Sequence, residues 1–217
     1  ANIAFGRPEA SRGQVEAAIA ERGTAATVRW HPFQLNPEIP RGGVDRRAYL
    51  ERKFGGPEGA REVYARVQSA GREAGVWFEF DRIERQPNTL DAHRLIAWAQ
   101  TRGDATALVE RLFRAYFIEG AFVGSHEVLA GLASDAGEDR DAALDFLASE
   151  TGRGEVAEAE VRASQLGITG VPFYIVDGRG RTDYEGELAI IMGPRPASRV
   201  PRERALDYVF GYSIMHD

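Results

Sequence analysis

Val171-Pro172-Phe173-Tyr174-Ile175-Val176 is a run of β-branched and aromatic residues that opens beside a proline and closes on Asp177-Gly178. That composition reads as a strand bounded by a turn. Just before it, segment 153–166 repeats apolar residues at three- and four-residue spacing, so a helix is expected to end at Leu166 with Gly167 in the C′ position. Working back, the helical pattern extends almost without a break to Val44, through segments 140–150, 125–136, 104–118, 90–102, 58–74 and 45–54. Ser125, and either Asn88 or Thr89, stand where N-caps belong. Ahead of this block, Thr27-Val28-Arg29-Trp30-His31-Pro32-Phe33 alternates and predicts a second strand. Asn36-Pro37-Glu38-Ile39-Pro40 then predicts a loop fixed by two prolines. Gln14 to Glu21 carries a helix signal, with Val15, Ala18 and Ile19 on one face.

Composition narrows the classes of function. A chain of 217 residues that is 43% hydrophobic can bury the core of one sizeable domain or two small ones. The net charge is −6 and basic residues alternate with acidic ones, as in Arg46, Arg47, Glu51, Arg52 and Lys53. That is a solvated helix face, and it argues against a nucleic-acid partner. No stretch approaches the roughly 18 consecutive apolar residues of a membrane span, and no basic-then-apolar leader opens the chain. No membrane association and a cytoplasmic location are therefore expected. The count that matters most is zero: the chain has no cysteine.

Three motifs in order carry a resemblance. His31-Pro32-Phe33-Gln34-Leu35-Asn36-Pro37, Pro87-Asn88-Thr89-Leu90-Asp91-Ala92-His93-Arg94 and Gly167-Ile168-Thr169-Gly170-Val171-Pro172-Phe173 resemble the FrnE-like branch of the DsbA family. Arg114-Ala115-Tyr116-Phe117 fits the same pattern, and the resemblance covers about residues 14–178. It implies an α/β, thioredoxin-like fold with a large all-helical insertion. The thioredoxin-like parts would be 1–43 and 168–217, and the insertion 44–167. It also implies a thiol–disulfide oxidoreductase or isomerase, with Val171-Pro172 as the cis-proline element that faces the redox cysteines. Phe5-Gly6-Arg7-Pro8 occupies the place of the family's Cys-x-x-Cys. A thiolate is the nucleophile of disulfide exchange, so this chain cannot carry out that exchange. What its residues permit is binding of a peptide or small thiol ligand, with no cofactor, between the Val171-Pro172 loop and the helical lid. Val171, Pro172, Phe173 and His93 are the candidate substrate-binding residues. A related branch, the glutathione-dependent chromene-carboxylate isomerases, uses a serine in place of the first cysteine. Here the nearest hydroxyl, Ser11, lies beyond that position.

The tail resembles another family. Asp183-Tyr184-Glu185-Gly186-Glu187-Leu188-Ala189 through Ile214-Met215-His216-Asp217 is similar to part of the fumarylacetoacetate hydrolases. That resemblance implies Mg²⁺ or Ca²⁺ on Glu185, Glu187 and Asp217, and hydrolysis of a C–C bond. Hard cations take carboxylate oxygens, and i, i+2 residues of a strand share a face. Edge-strand alternation by itself also places glutamates toward solvent. The two abrupt changes of resemblance, near residues 13 and 179, are also what a recombined chain would show.

The remaining expectations are structural. A lone helical histidine such as His93 is more often packed than a ligand, and His31 and His126 lack a spaced partner for a metal site. Phe113, Tyr116, Phe117 and Phe122 read as core of the helical part. In the tail, Phe173–Val176 is expected to pair with Tyr184–Ile191 across Asp177–Gly180, and Pro201 to Phe210 to form a short helix.

Overall fold

Local capping sets most of the element boundaries. The computed structural model describes residues 29–73, 75–168, 170–171, 186–192 and 209–216. β1 (Val44–Asp45) runs into α1 (Arg46–Phe54), where the Asp45 carboxylate accepts the Ala48 N–H at 2.8 Å and Gly55, at φ 76°, ends the helix in the left-handed region. α2 (Pro57–Glu73) begins on a proline, which fits a first turn whose N–H groups lack intrahelical partners. A 3₁₀ turn (Phe80–Arg82) and β2 (Arg85–Gln86) follow, and β2 pairs antiparallel with β1, Val44 opposite Gln86 and Asp45 opposite Arg85.

Five more helices follow among the described residues: α3 (Leu90–Gln100), α4 (Thr106–Phe117), α5 (His126–Asp135), α6 (Arg140–Ala148) and α7 (Arg153–Gln165). Ser125 and Asp139 cap α5 and α6 through the N–H groups of Val128 and Ala142. At α3 the cap position is Thr89, yet Asn88 supplies the bond, accepting the Leu90 N–H at 2.9 Å and donating to the Ile39 carbonyl at 2.6 Å. One side chain thus ends the proline-rich loop and starts a helix. Gly167, at φ 74°, closes α7 as expected.

The core lies among α3–α6. Leu95, Leu108, Leu112, Ala115, Leu129, Ala133, Ala143 and Leu147 are buried there, recurring at three- and four-residue spacing along their helices. Each leucine so buried contributes about 1.5–3 kcal/mol. Tyr116 and Phe117 join this core and Phe113 packs against it, as the sequence suggested. Phe122 does not: its ring lies under the Arg85 guanidinium at 5.3 Å, beside the β1–β2 ladder.

Two arginines are built into the interior, and the first of them, Arg46, departs from the solvated face expected of residues 46–53 because its guanidinium is taken up by Gln86, Tyr116 and three aromatic rings. Arg46, 4% exposed, donates from Nη1 to Gln86 Oε1 and to the Tyr116 hydroxyl, both at 2.9 Å. Its guanidinium sits over the rings of Tyr64 (5.0 Å), Phe80 (5.9 Å) and Tyr116 (5.9 Å). Burial raises the Tyr116 hydroxyl strongly, with Arg46 pulling the other way, so the ring stays a neutral phenol. Arg94, fully buried, donates to the carbonyls of Phe146, Leu147, Ser149 and Thr151 and to Asp91, and so fastens α3 to the α6–α7 connection. Beyond it, Phe146 stacks on Trp98 at 5.5 Å and 22°, and Arg102 covers the far face of Trp98, a cation–ring–ring–cation pile.

The chain divides into two compact units, Ala1–Phe173 and Tyr174–Asp217. In the second, β3 (Gly186–Met192) pairs antiparallel with β4 (Val209–His216), from Gly186 opposite His216 to Met192 opposite Val209, with one irregularity at Ile191/Met192.

Two readings of local structure are corrected. Arg29–Phe33 belong to no strand among the described residues, because the polar groups of Trp30 are taken by a side chain, Gln100, instead of a neighbouring strand. Val209 and Phe210 belong to β4 and not to a helix: Val209 pairs with Met192 of β3, and Phe210 sits at the irregularity in the ladder. The expected partner of β3, residues 173–176, lies outside the described residues, as does the rest of the expected 201–210 helix and the helix signal at 14–21.

Candidate functional site

One face of α3 organises the candidate site. His93, Ala97 and Gln100 stand at i, i+4 and i+7, which brings them to the same side of the helix. That side meets the segment Arg29–Gln34. Gln100 accepts the Trp30 N–H at Oε1 (2.6 Å) and donates from Nε2 to the Trp30 carbonyl (2.8 Å), the two bonds that a strand neighbour would make. The Trp30 indole N–H donates to Thr106 Oγ1 at 3.2 Å, at the start of α4. Further along the segment, the Gln34 N–H donates to Glu160 Oε1 of α7 at 3.1 Å.

Between these parts is a groove of about 300 Å³. Trp30 and Pro32 form one side, Ala97 and Gln100 the second, and Val156 and Ala159 of α7 the third. Arg29 and Arg162 stand at its rim with His31 and Glu155. An apolar floor with a few polar groups at its edge is the usual make-up of a small-ligand site, and this volume is at the small end of the range.

Two titrating groups border the groove segment. Burial pushes the His93 imidazole down to about 4, against a smaller opposite pull from the Phe33 backbone, so the ring is neutral near neutral pH. Burial also pushes the Glu160 carboxyl up, with the Gln34 N–H working against it. Among the described residues neither group has a charged partner of the kind that makes an acid–base pair.

The candidate residues are only partly brought together. His93 is held against the Phe33 backbone and is not among the residues that line the groove. Val171 is half-buried beyond the end of α7, and Pro172 and Phe173 lie outside the described residues. Glu187 is in β3, opposite Met215, while Glu185 and Asp217 lie outside the described residues. Among the described residues no cluster of three His, Asp or Glu side chains is placed to hold a metal ion. His126 is a structural group: its Nε2 lies 2.8 Å from Asp91 Oδ2. No described helix is long and apolar enough to cross a membrane. Trp30, Gln100 and Thr106 are the residues that sequence reasoning missed. The sole trace of them is the alternation of 27–33, which suggested a strand.

Comparison with known proteins identifies the architecture. The family model for the DSBA-like thioredoxin domain matches residues 11–194. A probable DsbA oxidoreductase from Streptomyces coelicolor is similar in structure, with TM-score 0.66 and 28% identity over 76% of this chain and 72% of that one. The structure of a 2-hydroxychromene-2-carboxylate isomerase is similar in fold, with TM-score 0.53 and 18% identity over 75% of this chain and 76% of that one. A curated 2-hydroxychromene-2-carboxylate isomerase from Sphingobium xenophagum is 32% identical over 92 residues, 40% of this chain and 47% of that protein. An uncharacterised protein of Staphylococcus epidermidis is 51% identical over 35 residues, 16% of this chain and 11% of its own length. The chain thus spans less than half of the curated relatives it matches. The α/β, thioredoxin-like fold with a helical insertion expected from the sequence agrees with the family match and its structural neighbours.

Proposed function

We propose that this chain, which belongs to the family of DSBA-like thioredoxin domains, acts as a FrnE-like member without redox activity that binds a small thiol or a short peptide. The observation that carries this reading is the groove between Trp30, Ala97 and Gln100 of α3, and Val156 and Ala159 of α7, in a chain with no cysteine. Disulfide exchange requires a thiolate to attack one sulfur and a second thiolate to release the mixed disulfide. This chain supplies neither, so its surface for thiol-bearing partners is left with recognition alone. The apolar floor would take the aliphatic body of the ligand, and Arg29 and Arg162 would meet its polar end. No cofactor takes part in this reading.

The test has two arms. A disulfide-reduction assay on insulin with excess dithiothreitol should show no rate above the buffer blank. Titration with the tripeptide acetyl-Ala-Cys-Phe-amide, followed by tryptophan fluorescence, should saturate, and the change should vanish in W30F. Turnover of insulin, or a tripeptide signal that is linear and unaffected by W30F, defeats the proposal.

A further inference from the structure

We infer that Gln100 is a positioning residue that stands in for a strand neighbour of Trp30 and fixes the indole as one wall of the groove. The inference rests on the groove reading above for its functional meaning, and on hydrogen-bond geometry for its substance. Trp30 lies in a segment outside any described strand, so both of its backbone polar groups need partners from elsewhere. The side-chain amide of Gln100 is one of the few groups that can serve both, since it carries a donor and an acceptor on one carbon. It does so at 2.6 and 2.8 Å, in the bidentate pattern of an antiparallel pair. A third bond, from the indole N–H to Thr106 Oγ1, fixes the ring itself. Thr106 is held in turn, its N–H donating to Asp104 Oδ1 at 2.9 Å. Trp30 is therefore gripped by the last residue of α3 and the first of α4.

The placement gives the grip a role beyond stability. Gln100 and Trp30 both line the groove, and Ala97, one turn before Gln100, faces the same space. If the amide is removed, the backbone of Trp30 loses both its partners, and the wall opposite Val156 and Ala159 is free to rotate. A residue that only stabilised the fold would change the unfolding temperature and leave the groove's shape intact.

The experiment uses the full chain in a W77F background, with W30F as the reference that isolates the Trp30 signal from that of Trp98. Q100A should move the Trp30 emission to longer wavelength and weaken acetyl-Ala-Cys-Phe-amide binding about fivefold, the size of a lost neutral hydrogen bond. T106V should give a smaller shift in the same direction. Q100E, which keeps the acceptor for the Trp30 N–H and loses the donor, should lie between wild type and Q100A and guards against a variant that fails to fold. Read by isothermal titration calorimetry, which needs no tryptophan signal, the affinity loss should be absent when Q100A is combined with W30F. Unchanged Trp30 emission in Q100A and Q100E overturns the inference, and so does an equal affinity loss with or without Trp30. If emission shifts while the wild type binds no tripeptide, the positioning role stands and the ligand reading falls.

Discussion

Arg94 Nη1 lies 2.7 Å from Asp91 Oδ1, one helical turn away, and the pair is the polar centre of the helical body. Asp91 also takes His126 Nε2 at 2.8 Å and an Arg153 guanidinium nitrogen at 3.4 Å. Arg94 spends its remaining donors on the four carbonyls between Phe146 and Thr151. Three separate helices, α3, α5 and α7, therefore meet at one carboxylate.

Replacing Arg94 should be among the most damaging single changes in the described chain. R94M leaves a largely buried carboxylate short of its main partner and takes the side-chain donor from the carbonyls of Leu147, Ser149 and Thr151, which costs about 3–5 kcal/mol. Thermal unfolding followed by circular dichroism should show a midpoint lower by roughly 10 °C or more. R94K, which keeps the charge but cannot reach several carbonyls together, should recover only part of the loss.

Acid should destabilise the protein in two separate steps. His93 binds a proton only near pH 4 when folded, against about 6.5 when unfolded, so the unfolded chain takes up more protons as pH falls through that window. The stability it contributes is complete above about pH 6.5 and is lost progressively down to about 4. Urea unfolding at stepped pH should show this slope, and H93Q should flatten it.

Asp91 governs a lower window. Burial works to raise its carboxyl, and Arg94, His126 and Arg153 outweigh that, holding it below its ordinary value. Its stabilisation is present above the unfolded value near 4 and disappears as pH falls through the lower folded value. D91N should be less stable than wild type at pH 7, and the difference should shrink in acid below pH 4. A constant difference across that range would mean that charge is not what Asp91 contributes.

Arg46 offers a different contrast. Nη2 is buried without a hydrogen-bond partner and no carboxylate pairs with the group among the described residues, so the aromatic rings and Nη1 bonds carry its charge. A flexible apolar chain of similar length keeps the contacts with Tyr64 and Phe80 and removes the desolvated charge. R46M should therefore unfold within about 1.5 kcal/mol of wild type, whereas R46A, which opens a cavity among three rings, should lose about 2–5 kcal/mol. Denaturant midpoints of the two variants decide the matter.

Much of this body was legible in the chain because its signals are local. Seven helical segments could be read from apolar spacing, and their ends from Ser125, the Asn88–Thr89 pair and Gly167, since a cap and its N–H groups are three or four residues apart. The β1–β2 ladder was not legible: two-residue strands joined across 40 positions leave no periodicity. Trp30 misled for a related reason. The alternation of residues 27–33 is that of a strand, but Gln100, 70 residues away, supplies the ladder bonds, and no pattern near Trp30 announces it. His93 was named for its motif; in the structure it is held against the Phe33 backbone and does not line the groove. The motif around it has another explanation in part: Asn88, Asp91 and Arg94 are all used to hold helices and loops together.

The Arg94 staple also bears on how the molecule opens. The carbonyls of Leu147, Ser149 and Thr151 are satisfied by a side chain of α3, so the α6–α7 connection cannot swing away without stranding them. Amide protons in α3, the end of α6 and the start of α7 should then exchange with solvent in a single cooperative event, near the global unfolding free energy. The connection looks like an exposed turn, yet it should behave in hydrogen exchange as part of the slowest foldon of the chain.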